Sequence, residues 1–176
     1  MSRYLIVVDM QNDFVTGSLG SEQAQKIVGA AKQRIEHAIS LGEKVIFTRD
    51  CHGADYMSTR EGRRLPVRHC IFGTEGFEIV PELAPLVEHA EVIDKPTFGS
   101  MSLAEKLIAA DAEEAIEKIT LIGLCTDICV ISNAMILKAA LPEADIAVDA
   151  ACCAGVTIES HQTALEAMRA CQIDIE

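Results

Sequence analysis

The chain has 176 residues, about half of them apolar, and a formal net charge of −12, a size that suits one domain spanning residues 1–176 with a sizeable core. Such acidity argues against nucleic acid as a partner, and the one basic cluster, Arg60 to Arg68, is too small to reverse that. No run of roughly 18 apolar residues is present to span a membrane, and the start of the chain has no leader pattern. Seven cysteines without a leader therefore read as intracellular thiols, and a cytoplasmic location is expected.

In chain order, Tyr4 to Val8 is continuously apolar, the mark of a strand buried on both faces. Ile27, Val28, Ala31, Ile35, Ala38 and Ile39 recur at helical spacing, with Gly42 as the stop. Lys44 to Thr48 reads as a second strand. Arg49 to Glu78 has no clear period, and so long an excursion suggests function. Glu91 to Asp94 is a short third strand, and Ser102 with Glu105 reads as a capping box opening a helix. Ile119 to Ile122 is a strand, Asp127 to Ala139 a helix and Ile146 to Val148 a strand. Thr157 caps a last helix, and Ile173 to Ile175 read as the start of a last strand. This alternation predicts an α/β fold: a parallel sheet with helices on both faces.

In such folds the site lies at the carboxyl ends of the strands. Asp9, Arg49-Asp50, Lys95 and the turn from Gly123 to Cys129 each follow a strand, so four segments converge on one edge. Cys129 falls at the start of a helix, where free amides favour a thiolate. A buried, inert thiol fits the same spacing, and Cys125 in the preceding turn competes as nucleophile. Asp9, desolvated at a strand end, can act as a base for a thiol, or it can cap the amides of Gln11 to Phe14. Lys95 is either a cation in the site or a surface lysine. Asp50 and His52, two apart in an extended segment, project to one side. With His69 they suit a divalent metal, zinc above all, although solvated loop histidines fit too.

The segments Val8-Asp9-Met10-Gln11-Asn12-Asp13-Phe14, Thr48-Arg49-Asp50-Cys51-His52, Pro66-Val67-Arg68-His69-Cys70, Asp94-Lys95-Pro96-Thr97-Phe98 and Gly123 to Val130 together resemble the isochorismatase-like cysteine hydrolases, nicotinamidases most of all. The resemblance implies a doubly wound, Rossmann-like sheet in three α/β/α layers and a triad of Asp9, Lys95 and Cys129, with Cys129 chosen over Cys125. It also implies a cis peptide between Leu124 and Cys125, which aims the backbone amides of Cys125 and Cys129 at an oxyanion. Asp50, His52 and His69 match the family's metal ligands, and Glu61 is a further candidate. Nicotinamide hydrolysis in NAD salvage follows as the expected activity, and pairing of exposed helices into a homo-oligomer as the expected assembly. The chain departs from the family in Cys51-His52-Gly53, where Trp-His-Pro is usual, and in Leu65, where an aromatic is common. Phe14 then remains as the evident ring clamp, and any lid must come from Gly53 to Gly76. An amidase for N-carbamoyl or ureido compounds is the rival enzyme. A non-catalytic zinc- or thiol-binding protein is the rival of another class.

Overall fold

A computed structural model describes residues 1–176. Strand β1 (Ser2–Val8) leads through the single turn α1 (Asn12–Val15) and the long helix α2 (Glu22–Ser40) to β2 (Lys44–Asp50). The expected excursion follows, carrying α3 (Arg60–Arg64) and several 3-10 turns, before β3 (Glu91–Lys95). Then come α4 (Met101–Glu113), β4 (Ile116–Leu124), a wide π-type turn over Thr126–Val130, α5 (Ile131–Ala140), β5 (Asp145–Ala154), α6 (Ile158–Ala170) and β6 (Asp174–Ile175). No helix is long and apolar enough to cross a membrane.

The six strands are all parallel, in the order β3-β2-β1-β4-β5-β6. Side chains alternate across a strand, so Tyr4, Ile6 and Val8 join the core under α4, α5 and α6, while Leu5 and Val7 join the one under α2. The continuous apolar run of β1 is thus used on both faces. Helix α2 buries Ala24, Ile27, Val28, Ala31, Ile35 and Ala38, a three-and-four spacing along one stripe. Ser21 caps its start by accepting from the Ala24 amide. At its end Gly42, at φ +74°, lets Glu43 N–H reach back to the Ala38 carbonyl in a Schellman closure.

One expected boundary shifts. Helix α4 is capped by Ser100, which accepts from Leu103 N–H, and not by Ser102. The Ser102 hydroxyl is instead paired with the Ser100 hydroxyl at 3.0 Å. With the cap two residues earlier, Glu105 lies too far along to close a capping box.

Strand order reverses direction at β1, leaving a crevice between the carboxyl ends of β1 and β4. Val8 pairs there with Gly123. At φ +114°, Gly123 approaches so closely that a Cβ would stand 2.1 Å from the Val8 carbonyl oxygen.

Candidate active site

Asp9 is the first residue past β1, fully buried, with its backbone in the left-handed region at φ +50°. Its side chain does not cap the following turn. Oδ1 accepts from the Thr48 hydroxyl at 2.6 Å, and Oδ2 lies 2.6 Å from Lys95 Nζ. Oδ2 carries a second lone pair beyond the one that faces the ammonium. Burial pushes the Asp9 carboxyl up, and Lys95 opposes the shift.

Lys95 ends β3 and is 1% exposed, so the surface alternative does not hold. Its ammonium lies 3.0 Å from the Thr97 carbonyl, 3.5 Å from Cys129 Sγ and 3.7 Å from Asp50 Oδ1. Burial alone would lower its pKa, but the charges of Asp9 and Asp50 oppose burial and hold the cation.

Cys129 lies in the π-type turn, where Ile128 and Val130 amides both donate to the Cys125 carbonyl. The expected stabilised thiolate is not the resting state. Burial, followed by the Asp9 charge, raises the thiol well above its ordinary value, and Lys95 only partly offsets this. The group rests as a thiol beside a carboxylate and an ammonium. The Leu124–Cys125 peptide is cis, as the resemblance implied.

A second cluster adjoins the first. The ligating atoms of Asp50, His52, Glu61 and His69 all lie within 4.8 Å of one another. Asp50 Oδ2 is 3.0 Å from His52 Nε2 and 3.4 Å from His69 Nε2, and Glu61 Oε1 is 3.6 and 3.9 Å from the same two nitrogens. Four ligands at about 2.0–2.1 Å around a tetrahedral zinc stand roughly 3.3–3.4 Å apart, within this range. His69 Nδ1 donates to the Val67 carbonyl at 2.8 Å, which leaves Nε2 as its ligating atom. Burial would raise Asp50, but the two imidazoles and then Lys95 hold it below the usual carboxylate range. The donor set therefore fits a divalent ion.

The turn after β1 fastens this cluster. The Gln11 amide brackets Asp50, accepting from its N–H at 2.7 Å and donating to its carbonyl at 2.9 Å, with a second donation to the Phe77 carbonyl. Asn12 donates to the Glu75 carbonyl, and Asp13 accepts from Cys70 N–H. Tyr56, fully buried, sets its ring 4.6 Å from His52 and 4.9 Å from His69 and donates its hydroxyl to the Leu65 carbonyl.

Both clusters border a cavity of about 420 Å³, walled by Phe14, Leu19, Leu65, Phe98, Ile128 and Val156, with Cys125 and Cys129 on its lining. Asp50, Glu61 and His69 reach it, and no lysine or arginine does. Of the candidates from the sequence, Phe14, Asp50, Glu61, Leu65, His69, Cys125 and Cys129 line the cavity, Asp9, Lys95 and His52 stand behind them, and Arg49 turns away to Asp94. Phe98 is a second aromatic wall that the sequence reading missed, although it stands three residues after Lys95. Gln11, Thr48, Tyr56 and Asn133 also escaped, because their work is to hold other residues.

A family model described as the isochorismatase domain matches residues 3–176. The structure of the nicotinamidase/pyrazinamidase PncA from Bacillus subtilis is 28% identical, with a TM-score of 0.87 over 99% of both chains. The pyrazinamidase of Pyrococcus horikoshii in complex with zinc is 27% identical, with a TM-score of 0.84 over 100% of this chain and 99% of that one. An N-carbamoylsarcosine amidase from Thermoplasma acidophilum is 26% identical, with a TM-score of 0.82 over 100% and 96%.

Proposed function

Since the chain belongs to the isochorismatase-domain family and is an amidohydrolase, we propose that it cleaves a small neutral carboxamide, nicotinamide first, to the acid and ammonia through a thioester on Cys129. The observation that carries this reading is the contact of one buried ammonium with both Asp9 Oδ2 and Cys129 Sγ, with Cys129 on the cavity lining.

Because the thiol rests protonated, its proton must leave as the bond to carbon forms. The second lone pair of Asp9 Oδ2 receives it. The sulfur attacks the amide carbon, and backbone N–H groups of Cys125 and Cys129 receive the oxyanion. Collapse returns the Asp9 proton to the departing nitrogen, which leaves as ammonia, and the acyl group stays on sulfur. Asp9 next takes a proton from water. The hydroxide attacks the thioester, and the same proton goes back to Cys129 as the acid is released. Lys95 keeps its charge throughout and balances whichever of Asp9 and Cys129 is anionic.

Asp50, His52, His69 and Glu61 would hold a divalent ion, zinc being the first choice for two imidazoles and carboxylate oxygen. When bound, such an ion supplies a Lewis-acidic point at the cavity edge that orients a ring nitrogen of the substrate. Phe14 and Phe98 supply aromatic wall for the ring. An N-carbamoyl amino acid would bring a carboxylate into a cavity with no lysine or arginine on its lining, so its counter-charge could come only from the metal ion, whereas a neutral carboxamide needs none.

Ammonia release by the metal-loaded enzyme from nicotinamide, pyrazinamide and N-carbamoylsarcosine tests the proposal. Turnover of the first two is expected. Activity confined to the carbamoyl compound overturns the substrate, and no activity on any of the three overturns the reading.

A further inference from the structure

The loop after Lys95 has no regular structure, yet its residues reach both the Lys95 ammonium and the cavity. Lys95 Nζ donates to the Thr97 carbonyl, Phe98 walls the cavity, and Ser100 caps α4. The loop is pressed against α5, since a Cβ on Gly99 would meet Ile136 Cδ1 at 2.4 Å. The chain reaches from this loop to the Cys129 turn through Asn133, a fully buried side chain on α5.

Asn133 Nδ2 donates to the Cys129 carbonyl at 2.8 Å and to the Phe98 carbonyl at 3.2 Å, and Oδ1 accepts from Ser100 N–H at 2.9 Å. The amide has one orientation only. Turned over, it would set its oxygen against two carbonyls and its NH₂ against an amide donor. Both Nδ2 protons and Oδ1 are engaged in a dry site, where an unmade bond costs more than a made one stabilises. Three backbone groups from two segments therefore share one rigid side chain.

We propose that Asn133 is a positioning residue that couples the Cys129 turn to the Phe98 wall, so that nucleophile and ring platform hold one register. The inference rests on Cys129 as nucleophile and adds what sets its distance from the substrate ring. A change at Asn133 acts through two separable links: Cys129 to α5, and the Phe98–Ser100 loop to α5.

Two variants separate them. Asn133→Leu removes both links. Asn133→Thr can still donate to the carbonyl four residues back, which is Cys129, but it is too short to bridge to the loop. Two quantities are read: the rate of Cys129 alkylation by iodoacetamide at fixed neutral pH, resolved by peptide mass mapping, and KM against kcat for nicotinamide. For Asn133→Thr, the alkylation rate stays within about twofold and KM rises about tenfold, the weight of one to two hydrogen bonds. For Asn133→Leu, alkylation slows by roughly tenfold as the thiol moves away from Asp9 and Lys95, and kcat falls with it. Circular dichroism and metal content establish that each variant is folded and loaded. An Asn133→Thr enzyme with wild-type KM, or one whose alkylation slows alongside it, overturns the proposal, as does a folded Asn133→Leu enzyme with wild-type alkylation. If Asn133→Leu does not fold, Asn133→Thr alone decides. If the wild-type enzyme turns over no carboxamide, the amidase reading falls, and the alkylation comparison still decides the role of Asn133.

Discussion

Lys95→Met keeps most of the side-chain volume and removes one charge from the floor of the site. The ammonium faces Asp9 Oδ2 at 2.6 Å and Asp50 Oδ1 at 3.7 Å, in a setting only 1% exposed. At an effective dielectric of about 20 those separations correspond to gross attractions of roughly 6 and 4.5 kcal/mol. Most of this offsets the cost of taking the ions out of water, and breaking such a pair by removing one partner costs about 3–5 kcal/mol. We expect that loss in urea unfolding at neutral pH, with metal present in excess. Asp9→Asn should also destabilise, because Lys95 then lacks its nearest anion. In the double variant neither charge is stranded against the other. Its loss should fall short of the sum by about 2 kcal/mol, within the usual range for residues in contact. All three variants should be inactive. Single losses that add to within about 0.5 kcal/mol would show that the pair is not coupled, and the account of the site as one electrostatic unit would fail.

Cys129→Ala should abolish ammonia release in a folded protein, whereas Cys125→Ala should keep substantial activity. Rapid iodoacetamide labelling at Cys125 with none at Cys129 would reverse the assignment. His52→Ala and His69→Ala should each emerge from dialysis without metal by elemental analysis. Glu61→Ala should bind at least about tenfold more weakly, since an inner ligand should matter no less than an outer partner; full occupancy in that variant would remove Glu61 from the site. His161 on α6 pairs with the buried Thr126 hydroxyl at 2.7 Å, and burial lowers its pKa, with Asp127 opposing. A histidine lowered in the folded state binds protons more readily unfolded. Its contribution is therefore whole above its ordinary value of 6.5 and is lost as pH falls from there through the lower folded value. The melting-temperature gap between wild type and His161→Gln should narrow over that window, and a gap constant with pH would contradict it.

The strands were legible because a parallel sheet covered on both faces leaves unbroken apolar runs such as Tyr4 to Val8. Their carboxyl ends then located Asp9, Asp50, Lys95 and Cys129 without any knowledge of distances. What sequence could not supply was the direction of the Cys129 shift. A helix start favours the thiolate, but burial and Asp9 oppose it more strongly, and neither is a local property. The α4 cap was misplaced for a similar reason. Ser100 and Ser102 are equivalent by type, and what distinguishes Ser100, an N–H held by Asn133, is not local. Residues that serve by holding backbone, Gln11 and Asn133 above all, carry no pattern of their own, since each also reaches partners more than 30 residues away.

The side chains of Gln11, Asn12 and Asp13 tie the turn after β1 to Asp50, Phe77, Glu75 and Cys70, at both ends of the excursion. Protein hydrogen bonds thus hold the backbone at Asp50 and next to His69, so a metal bound there would meet donors on braced segments. Tight retention and easy exchange need not compete in such a site. Were a bound ion to depart, those braced segments would keep their places for the next.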